Sequence, residues 1–162
     1  MQESDRNRLR KEIRLLRFAG GDMRQARAAI RALLATTEQD DVDLMLALET
    51  GIVVCYARPF THGEGVGQLG EEWAPEDDHD RAVHDELLVL RDEAGAHTDK
   101  KSGRDVVERF ELYDDGLTGF EESWQALDRE VLRTVVIPIC DRQERRFQDA
   151  AYELAEQLRR ET

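Results

Sequence analysis

RAVHDELLVLRDEAGAHTDK, residues 81–100, is the stretch on which the reading of the fold turns. Val83, Leu87, Leu90 and Ala94 recur at i, i+4, i+7 and i+11, the apolar stripe of an α-helix with one buried face. The helix starts at Asp77, Asp78 or Asp80, each able to cap it. Arg91 and His97 fall on opposite flanks of the stripe at its C-terminal end. His84 shares a face with Arg91, one heptad earlier. If Arg91 and His97 were both helical they would stand about 9 Å apart along the axis.

Upstream, VDLMLALETGIVVCYA (residues 42–57) is apolar on nearly every side and predicts a central helix from Asp40-Asp41 to Ala57. Glu49 is its polar exception, at an edge or paired. Cys55 reads as a small core residue. Arg58 precedes Pro59 and is pushed out of helical geometry, so YARPFTH is a helix exit with Phe60 turned back onto the core. Residues 61–79, with four glycines and a proline, predict a long surface loop. Its GEGVG lacks a following Lys-Ser/Thr and does not read as a nucleotide loop. Trp73 there is either a loop anchor or part of a partner site.

The first 35 residues predict two helices. One runs from Ser4 to Ala19 on Leu9, Ile13 and Leu16, and Gly20-Gly21 stops it. A second begins at Asp22 and buries Met23, Ala26, Ile30, Leu33 and Leu34. Arg24, Arg27 and Arg31 lie together away from that face. They touch phosphate, an acidic partner or only local carboxylates. After Gly103, Val106, Phe110, Leu112 and Asp115-Gly116 suggest a small β-hairpin within 105–124, in competition with a helix from Phe120 through Trp124, Leu127 and Val131. Trp124 reads as core. Pro138 suits a first helical turn, and Phe147, Ala151, Leu154 and Leu158 mark an amphipathic final helix. The sum is one mainly α domain over residues 1–162, a helical bundle with that small hairpin.

Charged residues make up 36% of the 162-residue chain and the net charge is −13, which disfavours broad nonspecific nucleic-acid binding. The charge is uneven: residues 1–35 carry nine Lys/Arg against four Asp/Glu, so a local basic face is available. Cys55 and Cys140 form no CxxC pair, and no cluster has metal-ligand spacing, so neither a metal nor a cofactor is expected. His79 and His84, five apart, read as surface histidines. The charged N-terminus is unlike a signal peptide and no apolar run reaches membrane-span length; a cytoplasmic protein without membrane association is expected.

Arginine followed at R-x5-H by histidine suits metal-free RNA cleavage. Histidine moves the proton of the attacking 2′-hydroxyl, and arginine stabilises the charge on the phosphorus. With twenty arginines and four histidines such spacing arises about once by chance, so the surroundings carry the argument. Alone, the pair reads as a surface ion pair and a helix-end histidine. Here Asp92 follows Arg91, and Ala96 and Thr98-Asp99 flank His97, after a very apolar helix. This resembles the R-x4-6-H motif of the HEPN superfamily over residues 40–100. The resemblance implies an all-α fold, a homodimer, and an endoribonuclease with catalytic Arg91 and His97. Asp92, His84, Arg24, Arg27 and Arg31 are the candidate substrate contacts. It also implies a toxin–antitoxin or phage-defence role beside an antitoxin or other protein partner. The alternative from the residues themselves is a noncatalytic helical protein-interaction module.

Overall fold

The computed structural model describes residues 3–37, 41–62, 67–95, 109–112, 118–121 and 127–161. They form a helical bundle. The helices are α1 (Glu3–Ala35), α2 (Val42–Ala57), α3 (Asp78–Gly95), a single turn α4 (Arg129–Val131) and α5 (Ile137–Arg160).

The first two expected helices are one. α1 runs unbroken through Gly20-Gly21. Its stripe does not change phase there: Leu9, Ile13 and Leu16 continue through Gly20 to Met23, Arg27 and Ile30 at alternating steps of four and three, a heptad-like seam. Neither glycine has a positive φ, so neither adopts the left-handed conformation of a helix stop. Gly20 is buried against α5, where an added Cβ would lie 3.9 Å from Phe147 Cβ and 3.8 Å from the Glu144 carbonyl. Asp22, expected as a cap, is instead buried and accepts a hydrogen bond from Arg58 at 2.9 Å.

α5 supplies the complementary seam: Cys140, Glu144, Phe147, Ala151, Leu154 and Leu158, again at steps of four and three. Arg6 reaches the Glu161 carbonyl, Gly20 meets Phe147, Arg24 pairs with Glu144, and Arg27 pairs with Asp141. Partner numbers fall as α1 numbers rise, so the helices are antiparallel. Gly20 faces Phe147 across the seam, where a Cβ would sit at ordinary contact distance.

α2 returns along α1: Cys55 Sγ lies 3.6 Å from Gln25 and Arg58 pairs with Asp22. Asp41 caps α2 by accepting from the Asp43 amide at 2.9 Å. The helix ends as the sequence predicts, in a 3₁₀ turn at Arg58–Phe60 with Phe60 buried. α2 is not central, however. Val42, Leu44 and Leu46 are exposed, Val42 at 70%. α2 offers only one face to α1 and an adjoining one to α3, and the molecule's centre is the α1–α5 seam. Cys55 is correspondingly half-exposed, and Cys140 is the buried thiol.

α3 runs opposite to the last helical segment. Asp80 near its start pairs with Arg142, while Val83–Leu90 border residues 127–136. The topology is therefore up-down-up-down. The C-terminal ends of α1 and α3 share one end of the bundle with the starts of α2 and α4. Asp77 caps α3, accepting from His79 N and Asp80 N.

The segment before α3 is tied down at several points. Leu69 N donates to the Pro59 carbonyl at 2.8 Å, and Gln143 donates to the Trp73 carbonyl at 2.9 Å. Trp73 stacks on Phe147 at 5.6 Å, with the Arg146 guanidinium over its ring at 5.2 Å. Trp73 is thus a loop anchor.

Most of residues 105–124 lies outside the described residues, Trp124 included, and the hairpin there stays an expectation. Helix begins again at Asp128, whose Oδ1 accepts from Glu130 N and Val131 N. A π turn, Leu132–Val136, leads into α5 where Pro138 offers no N–H to the Thr134 carbonyl.

Replacing Gly20 and Gly21 separately with Ala tests the continuity of α1. Each substitution adds a side chain at ordinary contact distance or into open space. Each should raise stability by about 0.5–1 kcal/mol in urea unfolding through helix propensity and unfolded-state entropy. A helix stop at this pair would instead make alanine destabilising.

Candidate functional site

α3 is held by its middle. His84 is buried, at 2% exposure, and the expectation of a surface histidine fails. The same helical stripe that buries Leu87 turns His84 inward against the loop. Its Nδ1 lies 3.1 Å from the Tyr56 hydroxyl, and its ring meets Phe60 edge-on at 4.6 Å. Burial pushes its pKa down to about 4; Asp85 opposes that shift and Arg81 adds to it. Burial likewise raises Tyr56 far above the usual phenol range. His84 is therefore a neutral packing and hydrogen-bonding residue, lining a cavity of ≈ 280 Å³ with Phe60, Leu69 and Leu88. His79 is exposed.

Two turns further on, Arg91 emerges at the end of α3 with its side chain 39% exposed, and donates to Asp92 Oδ1 at 2.8 Å. It makes no other ion pair among the described residues. Asp92 is more exposed still and holds the guanidinium outside the core. His97 lies outside the described residues. The exposed apolar residues at the start of α2, Val42, Leu44 and Leu46, belong to the same end of the bundle as Arg91.

The basic triplet divides. Arg27 occupies the α1 seam with its side chain only 19% exposed, bonded to Asp141 and, at 2.9 Å, to Glu144. Burial lowers its pKa, but the Asp141 and Glu144 contacts more than offset this and the net shift is upward. Arg24 Nε donates to Glu144 at 2.9 Å. Only Arg31 of the three is exposed with no ion pair among the described residues. Arg24 and Arg27 thus serve the α1–α5 contact through carboxylates distant in sequence.

A second basic surface escaped the sequence reading. Arg10, Arg14 and Arg17, with Arg159 of α5, line an open groove of ≈ 620 Å³ floored by Ile13, Phe18, Ala155 and Leu158. The signal was present: Arg10, Arg17, Arg24 and Arg31 recur every seven residues on one flank. Dividing α1 at Gly20 concealed it.

Among the described residues no three His, Cys, Asp or Glu side chains lie close enough to hold a metal ion, and no helix is long and apolar enough to cross a membrane. Compared with protein-family models, curated proteins and solved structures, the chain gives no match.

The buried histidine makes stability pH-dependent. An unfolded histidine titrates near about 6.5, so between that value and about 4 the unfolded chain binds the additional proton. Stability from this group is complete above the upper value and is lost as pH falls through the window, by up to about 3 kcal/mol. Urea midpoints measured from about pH 7 to 4.5 should fall more steeply for wild type than for His84→Gln, which keeps an acceptor for Tyr56. Equal slopes would place the titration of His84 in solvent.

Proposed function

We propose that the chain is a metal-independent endoribonuclease of HEPN type, working as a homodimer. One observation carries the reading: Arg91 stands part-exposed near the C-terminal end of α3, paired with Asp92, at the same end of the bundle as the exposed apolar residues that start α2. An apolar surface at that end suits a symmetric contact bringing Arg91 of one copy toward His97 of the other. Arg91 stabilises the negative charge of the pentavalent phosphorus. His97 takes the proton of the attacking 2′-hydroxyl or gives one to the leaving 5′-oxygen. The new 2′-oxygen–phosphorus bond replaces the bond to the 5′-oxygen, leaving a 2′,3′-cyclic phosphate.

His84 and Tyr56 fix the helix that carries Arg91 and do not contact phosphate. Arg31 is the member of the basic triplet suited to the RNA. The proposed fold includes the small β-hairpin within 105–124, a departure from a plain bundle. A cytoplasmic toxin or phage-defence role, with an antitoxin as partner, rests on the resemblance of residues 40–100 to that superfamily.

The second reading, a noncatalytic helical interaction module, is favoured by a different observation. Arg24 and Arg27 are paired with Asp141 and Glu144, while Val42 and Leu46, one turn apart at the start of α2, stand exposed to a protein partner.

RNA cleavage separates the two. His97→Ala should leave the thermal melt unchanged and lower cleavage by about two to four orders of magnitude. Activity should withstand EDTA, a 2′-deoxy substrate should resist, and Arg91→Lys should be damaging because the planar fork is lost while charge is kept. Equal cleavage by wild type and His97→Ala would move the assignment to the interaction module.

A further inference from the structure

The arginine groove lies away from the Arg91 end and takes no part in the chemistry above. α2 meets α1 no further toward the N-terminus than about Asp22, where Arg58 pairs with it. Beyond that point α1 has α5 as its main helical neighbour, and the two form an antiparallel arm. Two helices share one seam and leave a longitudinal groove on each side, a shape that accepts a third helix.

On one side this groove has an apolar floor and a cationic rim. Ile13, Phe18, Ala155 and Leu158 form the floor, and Phe18 is 55% exposed. Arg10, Arg14, Arg17 and Arg159 stand around it. Arg10 is turned toward Asn7 and Glu3, and Arg159 toward Glu156. Arg14 and Arg17 are exposed and make no ion pair among the described residues. In a chain of net charge −13, two such arginines flanking an exposed phenylalanine form a local cationic site in an acidic molecule. An incoming anionic partner is repelled elsewhere and oriented here.

We infer that the groove between the first half of α1 and the last half of α5 docks an acidic amphipathic helix of a partner protein. Arg10 to Phe18 span about 12 Å, roughly two helical turns. The occupant places apolar residues at i, i+3, i+4 and i+7 on Phe18, Ile13 and Leu158. Its Asp or Glu side chains on the flanks meet Arg14 and Arg17 in forked, charge-assisted hydrogen bonds. The apolar floor favours this occupant over single-stranded RNA: phosphates would engage the guanidiniums, but a charged backbone would leave the exposed Phe18 without apolar cover. The inference stands whether or not the chain cleaves RNA.

The test uses the full chain and a displayed library of helical peptides, about four turns long, with a fixed apolar stripe and randomised flanking positions. Peptides selected on wild type should be enriched in Asp and Glu on both flanks. By fluorescence anisotropy they should bind Arg14→Ala/Arg17→Ala about tenfold or more weakly, and Phe18→Ser should weaken them comparably. Arg31→Ala, on the same helix outside the groove, should bind as wild type does. Circular dichroism melts of the variants should match wild type, since Arg14, Arg17 and Phe18 are exposed. Selected peptides without acidic bias, or peptides bound equally by the double variant, would overturn the inference. Displacement of the peptides by oligouridine binding more tightly through the same arginines would reassign the groove to nucleic acid. Self-association of the free protein that the double variant abolishes would reassign it to a second copy.

Discussion

The antiparallel seam between α1 and α5 is the constraint on which the rest of the molecule depends. Most of its layers are apolar, but toward the start of α5 Arg27 and Glu144 enter it and Asp141 closes the ion pair. A charge in such a place is costly unless paired. Sliding one helix past the other by a turn would leave Arg27 against apolar side chains. The polar layer therefore selects register more than it adds stability, as a lone polar residue does in a coiled-coil seam.

With the seam set, the connection before α3 has a surface to fold onto. Phe147 presents its ring to Phe60 and Trp73, and Phe60 in turn packs against His84. The chain of rings runs from α5 through the loop to the middle of α3. His84 is an unusual member, because its neutral imidazole both packs edge-on and meets the Tyr56 hydroxyl. The hydrogen bond gives α3 a rotational setting that apolar contacts alone would leave loose. Arg91, one heptad beyond His84, shares its face and is part-exposed near the C-terminal end of α3.

Charge is divided along the same scaffold. Arg27 is drawn into the seam by Asp141 and Glu144 and Arg24 pairs with Glu144 at its exposed edge, whereas Arg14 and Arg17 line the groove beside the apolar part of α5 and make no ion pair among the described residues. Residues alike in sequence thus acquire different roles from what happens to face them. The acidic remainder of the chain makes this contrast matter, since an exposed arginine in such a field is a local attractor for anions.

Local and periodic features were legible in the sequence. The Asp41 and Asp77 caps, the end of α2 at Arg-Pro-Phe, and the stripes of α3 and α5 rest on interactions a few residues apart, and a short window contains them. The spacing of Arg91 and His97 is likewise contained in a short window, and the role proposed for the pair rests on the resemblance. What sequence could not supply depended on partners far along the chain. Gly20-Gly21 looks like a stop until Phe147 is placed opposite, because a glycine's local preference is weak beside the packing of two helices. His84 looks like a surface residue until Tyr56 and Phe60 enclose it. Arg24 and Arg27 look like a phosphate face until carboxylates 120 and 114 residues away reach them. α2 looks central because its composition is apolar all round, yet burial depends on what stands beside it. Composition and spacing determined which helices form; the long-range register of α1 on α5 decided which faces, glycines and charges they use.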